Sequence, residues 1–445
     1  MAHTPKTAIA PPIPGVLGKI IVWTDARFPL VKLYKEQLTD YYAPKNFNFW
    51  YYFGSLAMLV LVMQIVTGIL LTMNYKPDAK LAFGSVEYIM RDVPWGWMIR
   101  YMHSTGASMF FIVVYLHMMR GLMYGSYRKP RELLWIFGCL IYLCLMAEAF
   151  FGYLLPWGQM SYWGAQVIIN LFSAIPLIGE DVAVWIRGDY NVGDATLNRF
   201  FAFHVIAVPL VLLGLVAAHL MALREVGSNN PDGIEIKLNL DPKTGTPKDG
   251  IPFHPYYTVK DIVGVVVFLA VFTVIVFFAP DMGGYFLEGP NFIPADPLKT
   301  PEHIAPVWYF TPFYAMLRAV PSEIASFLPI SQFYGVAVMG AATMILFALP
   351  WLDFGKVKSV RYRGPRYKVF LTAFVISFLI LGYLGVVPTT VWGQLPKGVP
   401  LVGGMDFATL MARILTVVYF AFFVLMPWYT KVDKELPEPE RVTYK

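Results

Sequence analysis

Cysteine and charged side chains are both scarce in this 445-residue chain, which has 2 Cys and 14% charged residues. Cys139 and Cys144 both lie inside an apolar run, which excludes a disulfide framework and any site that needs a cysteine motif. Hydrophobic residues make up 57% of the chain, more than a soluble protein of this length carries. The composition therefore indicates that lipid is the solvent.

Eight apolar stretches approach the roughly 20 residues that a helix needs to cross a bilayer. They are residues 53–73, 97–123, 134–155, 200–223, 262–280, 331–350, 369–388 and 408–428. We therefore predict an all-α integral membrane protein with eight transmembrane helices. Eight spans place both termini on one side, and the connections on that side hold most of the Lys and Arg. The positive-inside rule then predicts cytoplasmic termini.

The net charge of +6 follows from this topology, so we predict no nucleic-acid partner. A polar stretch at 224–261 divides the spans into two sets of four. We expect an N-terminal four-helix domain at 1–223, a cytoplasmic linker at 224–261 and a C-terminal four-helix domain at 262–445. Long connections on the opposite side, about 156–199 and 281–330, indicate functional loops.

Four histidines lie on two of the predicted spans. His103 and His117 are 14 residues apart on the second span, and His204 and His219 are 15 apart on the fourth. Both spacings are close to four helical turns, or about 21 to 22 Å. Because the two spans run in the same direction, the histidines face each other at two depths. Such pairs can ligate two haem irons axially; the alternative is four histidines that only bond neighbouring hydroxyls or carbonyls.

Glycines on the first and third predicted spans repeat the 14-residue step. They are Gly54, Gly68, Gly138 and Gly152. A glycine lets a planar group approach the backbone, so these four predict slots for two macrocycles; the alternative is close helix packing. Arg100 and Arg120 each lie three residues from a histidine and could reach haem propionates. Their alternative is snorkelling to the lipid headgroups.

Longer motifs occur along the whole chain. They are residues 99–103 (IRYMH), 152–161 (GYLLPWGQMS), 170–176 (NLFSAIP), 227–231 (GSNNP) and 253–261 (FHPYYTVKD). On these motifs the chain resembles the cytochrome b subunit of the ubiquinol–cytochrome c reductase complex of bacteria. The first four spans are then expected to form a dihaem four-helix bundle.

The resemblance implies two non-covalent b haems, a low-potential one held by His103 and His204 and a high-potential one held by His117 and His219. It implies quinol oxidation on the periplasmic side and quinone reduction on the cytoplasmic side of a bacterial inner membrane, in a respiratory or photosynthetic chain that builds a proton gradient. No cysteine pattern here holds an iron–sulfur cluster or a c-type haem. The implied partners are therefore a Rieske iron–sulfur protein and a cytochrome c-type subunit, with the complex expected to be a homodimer.

The same resemblance assigns residues to the two quinone sites. At the periplasmic site these are Tyr153, Pro306, Trp308 and Tyr309, and at the cytoplasmic site Arg224, Ser228, Lys260 and Asp261.

Three residues depart from the family pattern. Pro209 lies in the histidine interval of the fourth span, which is one residue longer than the usual 14 and would turn His219 by about 100° unless the helix bulges. Arg224 stands where the family usually has histidine, and because it cannot release a proton at ordinary pH, proton delivery should fall to Asp261. Val307 replaces the glutamate of a Pro-Glu-Trp-Tyr motif.

Two acids are candidates for the proton-accepting role that Val307 cannot fill. Glu148 lies four residues before Gly152, on the same helix face, and could instead be a neutral structural acid. Glu302 lies four residues before Pro306 and could instead be a solvated surface acid.

Two other protein classes remain as alternatives. A dihaem cytochrome that anchors a hydrogenase or formate dehydrogenase would also pair histidines in the membrane, but it would not need the loop at 306–309. An ion-coupled transporter would need interrupted helices and acids at matching positions of two repeats, and the sequence has no such repeat.

Overall fold

The computed structural model describes residues 14–321, 331–386 and 407–444, without the side chains of 331 and 332. Within these ranges eight helices are long and apolar enough to cross a membrane. They are Phe49–Thr72, Gly96–Tyr124, Glu132–Leu154, Asp194–Val226, Tyr256–Phe278, Phe333–Leu352, Pro365–Val386 and Phe407–Val424. The eight predicted spans are confirmed, and only residues 387 and 388 of the seventh prediction lie outside the described residues.

The fourth and fifth helices begin about six residues before their predicted spans. Hydropathy detects only the part of a helix that meets lipid, whereas Asp194 and Tyr256 begin polar first turns. Arg224, Lys260 and Asp261 therefore lie in helix ends rather than in an irregular linker. The division of the chain into two domains stays a prediction.

Shorter elements connect the spans or lie within them. The α-helices are Val16–Asp25, Leu30–Tyr34, Ala82–Arg91, Gln159–Ser173, Gly179–Arg187, Thr311–Ala319 and Met426–Tyr429. Short 3₁₀ turns are Phe49–Tyr51, Ile236–Leu238, Met282–Gly284, Gly289–Phe292 and Trp308–Phe310, and π turns are Lys35–Thr39 and Phe203–Ala207. Strands Tyr42–Pro44 and Gly250–Pro252 pair antiparallel on the side of the termini.

The first four spans form a bundle in which the first packs on the second and the third on the fourth. The seventh and eighth spans pack together, with helix Thr311–Ala319 between them and the sixth. The fifth span exposes an aliphatic face, on which Val263, Val266, Val267 and Val274 are each more than half exposed. Such a face is stable only in contact with lipid or another apolar surface, so it agrees with a membrane span.

Buried ion pairs join the segments on the side of the termini. Asp232 is fully buried and accepts hydrogen bonds from Asn46 at 3.0 Å, Arg361 at 2.9 Å and Tyr362 at 2.8 Å. Asp353 and Arg363, whose side chains are both fully buried, pair at 2.8 Å. Although burial raises the pKa of the Asp353 carboxyl, the Arg363 charge outweighs burial and lowers it. The contacts of Asp232 connect the N-terminal segment, the loop after the fourth span and the loop after the sixth, and the Asp353–Arg363 pair stabilises that last loop internally.

We expect Asp353→Asn to lower the free energy of unfolding by about 3 to 5 kcal/mol, because the substitution leaves the buried Arg363 charge without a counterion. The measurement is the thermal unfolding midpoint of the purified protein in detergent. Glu440→Gln, a change at an exposed acid of the tail, is the control and should leave the midpoint unchanged. Equal midpoints for both variants would show that the pair is dispensable.

Candidate functional site

The second and fourth spans bring their four histidines together in two pairs. The ring centroids of His103 and His204 are 6.1 Å apart, and those of His117 and His219 are 6.4 Å apart. His103 therefore faces His204, and His117 faces His219, as the spacing predicts. The pair of His103 and His204 lies towards the side opposite the termini. A metal held by two imidazole nitrogens at about 2.0 to 2.1 Å requires ring centroids roughly 6 Å apart. Both pairs fit one iron between two rings.

A π turn at Phe203–Ala207 absorbs the extra residue of the fourth span. It contains His204 and is followed by Pro209, which has no N–H to donate back to the preceding turn. A π turn adds one residue without adding a helical turn, so the 15-residue interval spans the same four turns as the 14 of the second span. His219 consequently keeps the azimuth that the sequence had put in doubt.

Each of the four glycines faces one of the four histidines. A Cβ atom built at Gly54 would lie 3.3 Å from the ring of His117, and one at Gly68 would lie 3.3 Å from His103. The matching distance from Gly138 to His219 is 3.5 Å, and a Cβ at Gly152 would overlap the ring of His204. The absence of a side chain at these four positions thus lets each imidazole ring lie against the backbone of the first or third span.

The Nδ1 atoms of the two pairs have different surroundings. His103 Nδ1 lies 2.9 Å from Thr67 Oγ1, and His204 Nδ1 lies 3.0 Å from the carbonyl O of Glu148 and 3.0 Å from its Oε1. In the other pair, His117 Nδ1 is buried and has no hydrogen-bond partner within the described ranges. A partner on Nδ1 fixes the ring and leaves Nε2 free for a metal.

A cavity of about 450 Å³ opens beside the His117 and His219 pair, on the side of the termini. Its lining includes both of these histidines with Gly54, Gly138, Arg120, Arg224, Ser228, Lys260 and Asp261. Arg120 lies over the Tyr51 ring at 5.0 Å, and its Nε is buried and unpartnered among the described residues. All four residues predicted for the cytoplasmic quinone site therefore line one space together with one histidine pair.

Tyr41 organises the outer part of this cavity. Its hydroxyl lies 2.9 Å from Ser228 Oγ, and the guanidinium carbon of Arg224 lies 4.0 Å from its ring centroid. Asp261 lies beside Ser55 of the first span. The arrangement offers a cation held flat on an aromatic ring, hydroxyl groups and a carboxylate around one small space.

A second cavity of about 810 Å³ opens on the opposite side. Its lining includes Gln159, Glu288, Asp296, Lys299, Glu302, His303, Pro306 and Trp308. Arg100 lies one turn from His103 on this same side, at the start of the second span.

The segment from Pro306 to Tyr309 is anchored on the second span. Trp308 Nε1 donates to Ser108 Oγ at 3.1 Å, and the Tyr309 ring stacks on Phe111 with centroids 3.9 Å apart. Tyr115 OH donates to the carbonyl O of Tyr309 at 2.7 Å. Positions 108, 111 and 115 lie on one helix face, so a single face of the histidine-bearing helix holds this wall of the cavity.

The acids predicted for this side lie in different places. Glu302 is exposed at the cavity, whereas Glu148 is not among its lining residues and meets His204 instead. Tyr153 donates a hydrogen bond to Glu288, a cavity residue that sequence reasoning missed. Next to Gly289 and Pro290, an acid is typical of a surface turn, and the contact with Tyr153 spans 135 residues.

Comparison with known proteins gives one answer. The family model described as Cytochrome b/b6/petB matches residues 38–227, and that described as Cytochrome b(C-terminal)/b6/petD matches residues 294–399. Cytochrome b of Allochromatium vinosum is 63% identical, with 95% of this chain and 97% of that protein covered. Cytochrome b of Rhodospirillum rubrum is 48% identical, with 94% and 95% covered.

A solved structure of a hyperthermophilic respiratory Complex III superposes with a TM-score of 0.80 at 39% identity, covering 93% of this chain and 99% of that one. The eight spans and these similarities define the class as a multi-span membrane cytochrome. The chain belongs to the cytochrome b/b6 family.

The glycine contacts predict a graded series of effects on haem content. Gly152→Ala should lower it most, because its Cβ would overlap the His204 ring, whereas Gly138→Ala places its Cβ at an ordinary 3.5 Å. The measurement is the ratio of haem to protein in the purified chain. Gly214→Ala, with nothing within 4 Å, is the control on the fourth span. Equal haem content in the Gly152→Ala and Gly214→Ala variants would contradict the slot interpretation.

Proposed function

We propose that this chain is the membrane cytochrome of a Complex III-type quinol–cytochrome c oxidoreductase in a bacterial inner membrane. It would oxidise quinol on the periplasmic side and reduce quinone on the cytoplasmic side, and so contribute to a proton gradient. The observation that carries the proposal is the pair of facing histidines at each of two depths, with a cavity beside one pair and a second cavity on the opposite side.

In this proposal His103 and His204 hold one b haem, and His117 and His219 hold the other. Arg100 and Arg120 would meet the propionates. Gly54, Gly68, Gly138 and Gly152 seat the four imidazoles close to the first and third spans, and would let the edge of each macrocycle approach the same backbone. When bound, the two haems supply one-electron carriers across the membrane. Against a potential of 100 mV, moving one charge across costs about 2.3 kcal/mol. The surroundings of the two histidine pairs must therefore differ enough to offset that cost.

Quinol would bind in the cavity lined by Pro306 and Trp308. This cavity combines an apolar floor, formed by the segment anchored on the second span, with acids at its wall and mouth. A quinol needs both, because its ring is apolar and its two hydroxyls must each lose a proton.

Quinone would bind in the cavity beside His117 and His219. Arg224, held over the Tyr41 ring, would polarise one carbonyl, and Ser228 would donate to it. Asp261 would deliver protons, since a guanidinium keeps its proton at ordinary pH. Lys260 adds positive charge at the mouth.

A Rieske iron–sulfur protein and a cytochrome c-type subunit would complete the complex, because the chain has only 2 Cys and no motif for either centre. Both termini would be cytoplasmic, by the distribution of Lys and Arg. We expect the complex to be a homodimer.

Spectra of single-histidine variants test the ligand pairs. His103→Ala and His204→Ala should each remove the same b-type signal from the reduced-minus-oxidised spectrum, and His117→Ala and His219→Ala should each remove the other. His254→Ala, at a histidine outside both pairs, is the control and should keep both signals. Loss of both signals, or of the wrong one, from a folded variant would refute the pairing.

Quinone reduction tests Asp261. Asp261→Asn should slow re-oxidation of the haem at the His117 level by roughly 100-fold, because the amide cannot deliver a proton. The matched control is Glu225→Gln, since Glu225 is an exposed acid beside Arg224 that does not line the cavity. A parental rate in Asp261→Asn, with quinone still bound, would remove Asp261 from the mechanism.

A further inference from the structure

The quinol cavity lacks a carboxylate at position 307, where the buried Val307 is 6% exposed. A hydroxyl that gives up its proton in an apolar site needs an acceptor within hydrogen-bond reach. Glu288 is the acid that the structure brings to the inner wall of this cavity.

Glu288 interacts with two tyrosines of the predicted site. The Tyr153 hydroxyl donates a hydrogen bond to Glu288 Oε2. The negative charge of Glu288 adds to burial in raising the pKa of the Tyr309 hydroxyl. Glu288 is thus bonded to one of these tyrosines and acts electrostatically on the other, although it comes from a different part of the loop than the Pro306 to Tyr309 segment.

Backbone and amide bonds fix the loop that carries Glu288. Asn291 Oδ1 accepts from Ser161 N at 2.9 Å and from Ser161 Oγ at 2.8 Å. Gln159 Nε2 donates to the carbonyl O of Lys299 at 2.6 Å, and its Oε1 accepts from Asp296 N at 2.8 Å. These bonds clamp residues 291–299, which directly follow Glu288, to the start of helix Gln159–Ser173, so the chain beside Glu288 has a defined position at the cavity.

Burial raises the pKa of the Glu288 carboxyl to about 7, and the hydrogen bond from Tyr153 limits the rise. The other charged or titratable groups at the cavity are Tyr285, Asp296, Lys299, Glu302 and His303. Asp296, Lys299 and Glu302 are exposed, and the His303 ring is hydrogen-bonded to the carbonyl O of Val386 at 3.0 Å. Glu288 is half-buried and is the least exposed carboxylate of this set.

We propose that Glu288 accepts the second proton of the quinol, with Tyr153 as its positioning residue; this rests on the proposed function. The quinol O–H bond breaks, its proton bonds to a carboxylate oxygen of Glu288, and the electron leaves for a one-electron iron acceptor, a haem of this chain or a cluster of a partner. The carboxyl then releases the proton to the exposed mouth of the cavity. The glutamate of the family motif is thus replaced from the preceding part of the loop.

The geometry favours Glu288 over the two acids named from the sequence. The Glu148 carboxylate lies 3.0 Å from His204 Nδ1 and is absent from the cavity lining. Glu302 lines the mouth but is exposed, so a proton delivered there has already reached solvent. Glu288 is half-buried and already hydrogen-bonded to a tyrosine of the site.

The test is quinol oxidation by the purified complex, with Glu288→Gln compared with the parent. We expect a rate lower by roughly 100-fold, with haem content and both haem signals unchanged. Glu180→Gln is the control, at an exposed acid on the same side that does not line the cavity, and should keep the parental rate. Adding Val307→Glu to Glu288→Gln should restore part of the rate.

The pH profile gives a second readout. Because the accepting form is the carboxylate, which predominates above a pKa of about 7, the parental rate should rise as pH increases through 7. Glu288→Gln should lose this rise. Tyr153→Phe removes the bond that lowers the Glu288 pKa, so its rise should move to higher pH. An infrared band of a protonated carboxyl that forms during quinol oxidation should be missing in Glu288→Gln.

The outcomes separate the two proposals. A parental complex that does not oxidise quinol would overturn the proposed function itself. A parent that oxidises quinol, with Glu288→Gln at the same rate and the same pH profile, would overturn only the role of Glu288. Slowing by Glu302→Gln or Glu148→Gln, without slowing by Glu288→Gln, would also overturn it and give the role to that acid.

Discussion

The architecture depends on the cost of leaving an imidazole unsatisfied in hydrocarbon. Four histidines lie within the spans as two facing pairs. Nδ1 of His103 meets a hydroxyl and Nδ1 of His204 meets a carbonyl and a carboxylate, whereas Nδ1 of His117 has no partner among the described residues. Placing the imidazoles face to face fixes the distance between the second and fourth spans. It also requires small residues on the first and third spans, and the remaining four helices pack outside that bundle. The position of the two cavities follows, because each opens where a loop closes over the bundle.

The two histidine pairs differ in a way that bears on electron transfer. On the side opposite the termini, Nδ1 of His204 meets the carbonyl and carboxylate of Glu148, and Nδ1 of His103 meets Thr67. An acceptor on Nδ1–H makes the other ring nitrogen a stronger donor to iron, which stabilises the oxidised metal and lowers its potential. His117 has no such partner within the described residues. This asymmetry has the direction that the proposed transfer of electrons from quinol to quinone would need.

Periodic features could be predicted from the sequence, and features made by distant contacts could not. Span positions follow from apolar stretches of the sequence. The levels of His103, His117, His204 and His219 follow from helix geometry, since 14 and 15 residues are both close to four turns. Glu288 was missed because its candidate role depends on a hydrogen bond with Tyr153, which is 135 residues away in the sequence. The same holds for Asp232, whose partners come from the N-terminal segment, a later loop and the tail. Local sequence around these acids predicts only polar turns.

The π turn at Phe203–Ala207 has a consequence for how such chains can change in length. A single-residue insertion in a regular helix rotates everything beyond it by about 100°. In this helix the extra residue is accommodated within one wide turn. The residues beyond Val208 therefore point in the same directions as they would in a regular helix without that residue. A chain with one residue fewer in this interval can therefore present the same two imidazoles by closing the wide turn into an ordinary one. Alignments of such chains need a gap inside a membrane helix, beside Pro209, where gaps are usually forbidden.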